Sequence, residues 1–167
     1  MSVFNSKNKN GEKFYYVSSF SGIENFPKKM SLRLILGKDR FDIKTVSSNK
    51  EFRYLNYSQI KDVGIVTEKE IQEADKSVVG RAVVGGLLLG PLGAVVGGVS
   101  GVGKKQKTNH NIYLVINYIS SDSSEPKVLT FLCDAINFGI NTNKFVDELR
   151  EKSGLQPVEK KKINHNL

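Results

Sequence analysis

The chain has 167 residues, with 25 Lys plus Arg against 17 Asp plus Glu, a formal net charge of +8 and 39% hydrophobic residues. That length suits one domain able to bury a core without a disulfide or metal staple, while 25% charged residues and a mean hydropathy of -0.29 exclude a polytopic membrane protein. A single cysteine, Cys133, excludes an internal disulfide scaffold, leaves a zinc site without a second sulfur ligand, and fits a reducing, cytoplasmic setting.

Residues 1–13 are rich in Asn, Lys and Ser, lack the apolar core of a secretory signal, and are read as a flexible arm. Phe14 to Phe20 follows as a strand rich in aromatic and β-branched residues. Leu32, Leu34 and Leu36 alternate on a second strand, and the turn Gly37-Lys38-Asp39-Arg40 leads to a returning strand through Phe41, Ile43 and Thr45. Phe52 to Tyr57 and Ile60 to Val66 complete five strands, after which Glu68 to Lys76 reads as a charged helix. Beyond a glycine-rich stretch, Ile112, Leu114, Ile116 and Tyr118 alternate, Ser120 to Pro126 forms a turn, and Val128 to Cys133 makes the seventh strand. From Asn143 the period becomes helical: Phe145, Val146 and Leu149 share a face, Glu148 can meet Lys152, and Gly154 sits where a C-terminal cap belongs.

Seven short strands and one C-terminal amphipathic helix predict a mainly β, α+β fold: a small seven-stranded barrel over 14–67 and 109–154, plugged or capped by the helix. The insertion at 68–108 holds the charged helix and the glycine-rich stretch, and 155–167 form a basic disordered tail. The order of five strands, insertion, two strands and helix resembles the pleckstrin-homology-like (PH-like) and GRAM-like barrel. The phrase Asp75-Lys76-Ser77-Val78-Val79-Gly80-Arg81-Ala82, running on to Gly103-Lys104-Lys105, is similar to a segment in uncharacterised proteins of low-GC Gram-positive bacteria and their phages. The resemblance covers about Phe14 to Lys152 and implies no settled activity.

Nine of the fifteen glycines fall between Gly80 and Gly103, and no residue from Ala82 to Gly103 is charged. Those 22 residues as one helix would reach roughly 33 Å, enough for a bilayer core. Pro91 suits the first turn of a second helix better than the interior of one long helix. Arg81 on one side and Lys104, Lys105 and Lys107 on the other give no positive-inside bias. Strands before and after the stretch belong to one domain, so its ends lie on the same side. These features predict an α-helical hairpin, Ser77 to Leu89 and Pro91 to Val102, inserted between strands 5 and 6. Small residues recur every four positions, with Gly86, Gly90, Ala94 and Gly98 in one row and Gly93, Gly97 and Gly101 in another. Such a glycine zipper lets backbones approach closely. Each helix-interior Gly costs about 1 kcal/mol relative to Ala in water, so the arms need packing or an apolar medium.

Residues Gly98 to Lys105 nearly match a phosphate-binding loop, but Lys105 replaces the hydroxyl that would bind magnesium, and a strand follows instead of a helix. His110 and His165 are far apart without metal-ligand spacing, and Cys133 alternates with Phe131 and Leu129 as a buried small hydrophobe. No catalytic, cofactor or metal site is expected, and the chain reads as non-enzymatic.

In lipid-binding PH domains a basic headgroup pocket lies near the first hairpins, which the resemblance places at Lys28, Lys29, Lys38 and Arg40. Its Lys/Arg-x-Arg run occurs here only as Lys38-Asp39-Arg40, one hairpin late, so a diffuse basic face is expected. The pI of about 9.5 would also suit nucleic acid. Its lysines are dispersed and no reading helix is recognisable, so nucleic acid is not the expected partner. The first functional expectation is an adaptor whose hairpin inserts in or lies on an anionic membrane at the inner face of the cell membrane. Arg81, Lys104, Lys105 and Lys107 would then sit at headgroup depth. The alternative is a soluble interaction or oligomerisation module whose zipper packs on a partner or a second copy.

Overall fold

The computed structural model describes residues 11–21, 29–48, 51–67, 83–84, 87–88, 111–133 and 140–157. They hold strands β1 (Lys13–Ser21), β2 (Ser31–Leu36), β3 (Arg40–Thr45), β4 (Glu51–Asn56), β5 (Ile60–Thr67), β6 (Val83–Val84), β7 (Leu87–Leu88), β8 (Ile112–Ile119) and β9 (Pro126–Cys133), and helix α1 (Ile140–Lys152). The seven strands expected from alternation are all present. The helix expected at Glu68 to Lys76 and the second hairpin arm lie outside the described residues.

The main sheet runs β4-β3-β2-β1-β9-β8-β5, antiparallel at every described pairing. β1 serves both halves: Lys13 to Ser18 pair with β2, while Ser18, Ser19 and Ser21 pair with β9 across a register shift. A strand that changes partners at an irregularity is how a sheet turns a corner. The β2–β3 connection is the tight turn expected at Gly37. The Gly37 N–H donates to the Arg40 carbonyl at 3.1 Å, and a Cβ at residue 37 would stand 2.8 Å from that oxygen.

The expected barrel does not close. β4 and β5 are the two edges, and no ladder joins them. Only Tyr57–Gln59, a single 3-10 turn, connects them. Four residue steps reach at most about 14 Å, whereas the edges of a flat seven-stranded sheet stand about 29 Å apart, so the sheet is strongly coiled. Gln59 fixes this corner: it accepts from the Asn56 N–H at 2.9 Å and donates to the Ile119 carbonyl at 3.0 Å. Farther along, Arg53 of β4 donates to the Tyr118 hydroxyl of β8 at 3.0 Å, a side-chain link between edge regions that share no ladder.

Helix α1 lies beside β5. Arg150 Nη1 donates to the Val63 carbonyl at 2.6 Å and meets the Asp62 carboxylate, so the free side of β5 is bound by a guanidinium. The same helix drives Phe145, Val146 and Leu149 into the core. Phe145 stacks on Tyr15 at 5.3 Å and meets Phe41 edge-on at 6.3 Å. Leu32, Leu34, Ile43, Leu114, Ile116, Leu129 and Phe131 complete that core, each fully buried.

The helix ends as expected at Gly154, whose φ is +70°. Leu155 N–H returns to the Arg150 carbonyl at 2.9 Å and Gly154 N–H to that of Glu151 at 3.1 Å, the two bonds of a Schellman cap. Leu155 then packs on the core. Glu148, expected to meet Lys152 one turn on, is instead paired with Lys13 of β1 at 2.7 Å.

The insertion also differs from expectation where it is described. Val83–Val84 and Leu87–Leu88 form an antiparallel ladder, Val83 opposite Leu88 and Val84 opposite Leu87, where an α-helical arm was expected. Gly85-Gly86 separates the paired segments in sequence. Gly-Gly is a favoured two-residue hairpin dipeptide, and Val disfavours helix by its branching.

Replacing Arg150 removes donors from a half-buried carboxylate and an edge carbonyl. Arg150→Ala is therefore expected to cost about 2 kcal/mol in urea unfolding with an unchanged m-value. Lys13→Ala, at a pair whose lysine is 43% exposed, should cost under about 0.5 kcal/mol. Equal effects of the two would sink this assignment.

Candidate functional site

Of the residues singled out for an anionic surface, Lys29, Lys38 and Arg40 are described, and β2 holds them apart. Lys29 precedes the strand, with φ +65° and its N–H donating to the Ser19 carbonyl at 2.7 Å. Lys38 and Arg40 lie past its other end, about 17 Å away at strand rise. The Arg40 guanidinium is already engaged: Nε meets Asp42 at 2.8 Å, and its carbon lies 4.3 Å from the Tyr54 ring centroid. These three side chains therefore do not converge on one ligand. Lys28, Arg81, Lys104, Lys105 and Lys107 lie outside the described residues, as do Gly86, Gly90, Gly93, Ala94, Gly97, Gly98 and Gly101.

A recess of about 530 Å³ lies beside α1, lined by Lys13, Lys144, Asp147, Glu148, Glu151 and Lys152. Three lysines and three carboxylates line it, so the charges balance and it has no net preference for an anion or a cation. Among the described residues no group of three or more His, Cys, Asp or Glu is placed to hold a metal ion.

Cys133 is buried on the core face of β9, as its alternation with Phe131 and Leu129 implied. Burial pushes its thiol up to about 12 from the ordinary 9.0, against smaller opposing effects of a Leu114 backbone hydrogen bond and the Tyr15 hydroxyl. At neutral pH it is a protonated core atom, not a nucleophile. The Tyr57 phenol is likewise raised, first by burial and then by nearby Asp42, Glu148, Glu12 and Asp39. Its hydroxyl donates to the Gly37 carbonyl at 2.7 Å, an oxygen that Lys152 Nζ also reaches at 3.2 Å.

The most unusual surface was not singled out in sequence. On β8, Ile112, Leu114, Ile116 and Tyr118 face the core, which leaves Tyr113, Val115 and Asn117 on the outer side. Register puts Val66 and Leu132 beside Tyr113, Gly64 and Thr130 beside Val115, and Val128 beside Asn117. This outer face is buried too: Val66 is 2% exposed, Tyr113 1%, Val115 6% and Val128 6%. Asn117 Oδ1 and Thr130 Oγ1 are buried within it and find no hydrogen-bond partner among the described residues. On the other half of the sheet the outer side is mixed, with Tyr16 and Tyr54 37% and 48% exposed but Ile35 and Asp42 buried. The sequence signal was present in Ile112 to Ile119, where both parities are largely apolar, the pattern of a strand covered on two sides.

A family model described as "Glycine zipper containing PH domain" matches residues 22–132, more than half of the chain. No curated protein matches the chain.

The raised Cys133 thiol carries a signed expectation. Its folded value lies above its unfolded value, so its contribution to stability is complete below 9.0 and is lost as pH rises toward about 12. Denaturant melts above pH 9.0 should therefore show falling stability, with a shallower decline in Cys133→Ala. At about pH 8 a thiol reagent should modify the unfolded chain and spare the native one. Native labelling at the unfolded rate would contradict this.

Proposed function

The chain belongs to the family of glycine-zipper-containing PH domains, and from that premise we propose that it is an interaction module that self-associates, or grips a partner protein, through its glycine-rich insert. PH-like domains are non-catalytic adaptor folds, in keeping with a chain that serves binding and not turnover. The observation that carries the reading is the small-residue row Gly93-Gly97-Gly101, inside the matched segment and beyond the β6–β7 ladder. Rows of this kind lower the distance of closest approach between backbones, and packing then offsets the conformational cost of so many glycines. A second copy is the simplest partner, since it supplies the same row.

A protein partner is favoured over an anionic surface by the state of the described cations. Lys29 stands apart from Lys38 and Arg40, and Arg40 is occupied by Asp42 and Tyr54. Among the described residues no helix is long and apolar enough to cross a membrane.

Sedimentation velocity should show the wild-type chain as an oligomer and the Gly93→Glu plus Gly97→Glu variant as a monomer, with the same far-ultraviolet circular dichroism. Identical sedimentation of the two would end the self-association reading. Co-sedimentation with anionic liposomes runs in parallel, and wild-type pelleting that the same substitutions abolish would replace it with membrane attachment.

A further inference from the structure

A sheet with its helix on one side should offer water the other side. Across β5, β8 and β9 it does not, because Val66, Tyr113, Val115 and Val128 turn away from the core and are nonetheless buried. α1 is not the cover, since Phe145, Val146 and Leu149 enter the core on the opposite side.

Two observations identify the occupant. β7 lies against β5, the edge strand of this half-sheet. The insertion carrying β6 and β7 leaves β5 at Thr67 and returns at Ile112 of β8, and those residues are register partners, so both its ends stand at the rim of this face.

We propose that the outer face of β5, β8 and β9 is an apolar docking surface for the chain's own β6–β7 segment. The contact is intramolecular: the tether at Thr67 and Ile112 presents the segment to this face at an effective concentration that no second chain matches. The inference goes beyond self-association and does not require it.

The test uses the full chain carrying Val128→Cys, which places a thiol on the covered face, while Cys133 on the core face reports any general opening. Both thiols should react slowly. Adding Leu87→Asp and Leu88→Asp, which charges both residues of β7 and so covers either orientation of the strand, should accelerate the introduced thiol by about tenfold or more, since labelling follows the open population. Cys133 should stay unreactive, and the protection should not change with protein concentration. Three results would overturn the proposal: no acceleration, acceleration of both thiols together, or protection lost on dilution. Sedimentation of the same samples reads self-association separately, so failure of one reading is distinguishable from failure of the other.

Discussion

A coiled sheet that does not close leaves a bare row of backbone groups along each edge, and in this fold the Arg150 guanidinium answers one of them. It holds the Val63 carbonyl and the Asp62 carboxylate of β5 together. That anchor sets where α1 lies, and through α1 it sets the aromatic cluster of Tyr15, Phe41 and Phe145. The Schellman cap follows directly behind it: Arg150 also gives its own carbonyl to Leu155 N–H, and its Nε reaches the Gln156 carbonyl at 2.6 Å. One residue thus fixes the helix to the sheet and the chain end to the helix. β4 and β5 form no ladder; the corner at Tyr57–Gln59 joins them in sequence, and Arg53 of β4 reaches Tyr118 of β8.

The two halves of the sheet solve different problems. On β2, β3 and β4 the outer side is mixed: Ile35 and Asp42 are buried there, whereas Tyr54 is substantially exposed with Arg40 resting over its ring. On β5, β8 and β9 apolar residues are buried on both sides. β1 joins these two regions by changing partner at Ser18 to Ser21. The glycine-rich insertion emerges from that second half.

Local features were legible in the sequence because their causes are local. Leu32, Leu34 and Leu36 alternate strictly, Gly37 marks a turn whose geometry excludes a Cβ, and Gly154 ends the helix at a left-handed backbone position. Features that depend on distant partners were not legible. Glu148 was assigned to Lys152, its neighbour one turn on, but Lys13, 135 residues away, holds it. Closure of the sheet was inferred from strand number, but strand number does not say whether the first and last strands of the order form a ladder, and β4 and β5 do not. At β8 the alternation of Ile112, Leu114, Ile116 and Tyr118 marks the core side, but it does not by itself say that Tyr113 and Val115 on the other side are buried as well. In Val83 to Leu88 an uncharged run suited both helix and strand, and the Gly-Gly between two apolar pairs was the deciding signal.

Thr67 and Ile112 face each other across one ladder, with 44 residues of sequence between them. Closing a loop costs entropy that grows only with the logarithm of its length, about 0.6 kcal/mol for each doubling. Once the ends are paired, the sheet is almost indifferent to how much chain is spliced in at that point. The cost of closure thus leaves the length of the insertion open while the strands on either side keep their register, and a single residue pair is the boundary. Its composition is a separate matter, tied to the apolar face on which the inserted segment is proposed to lie.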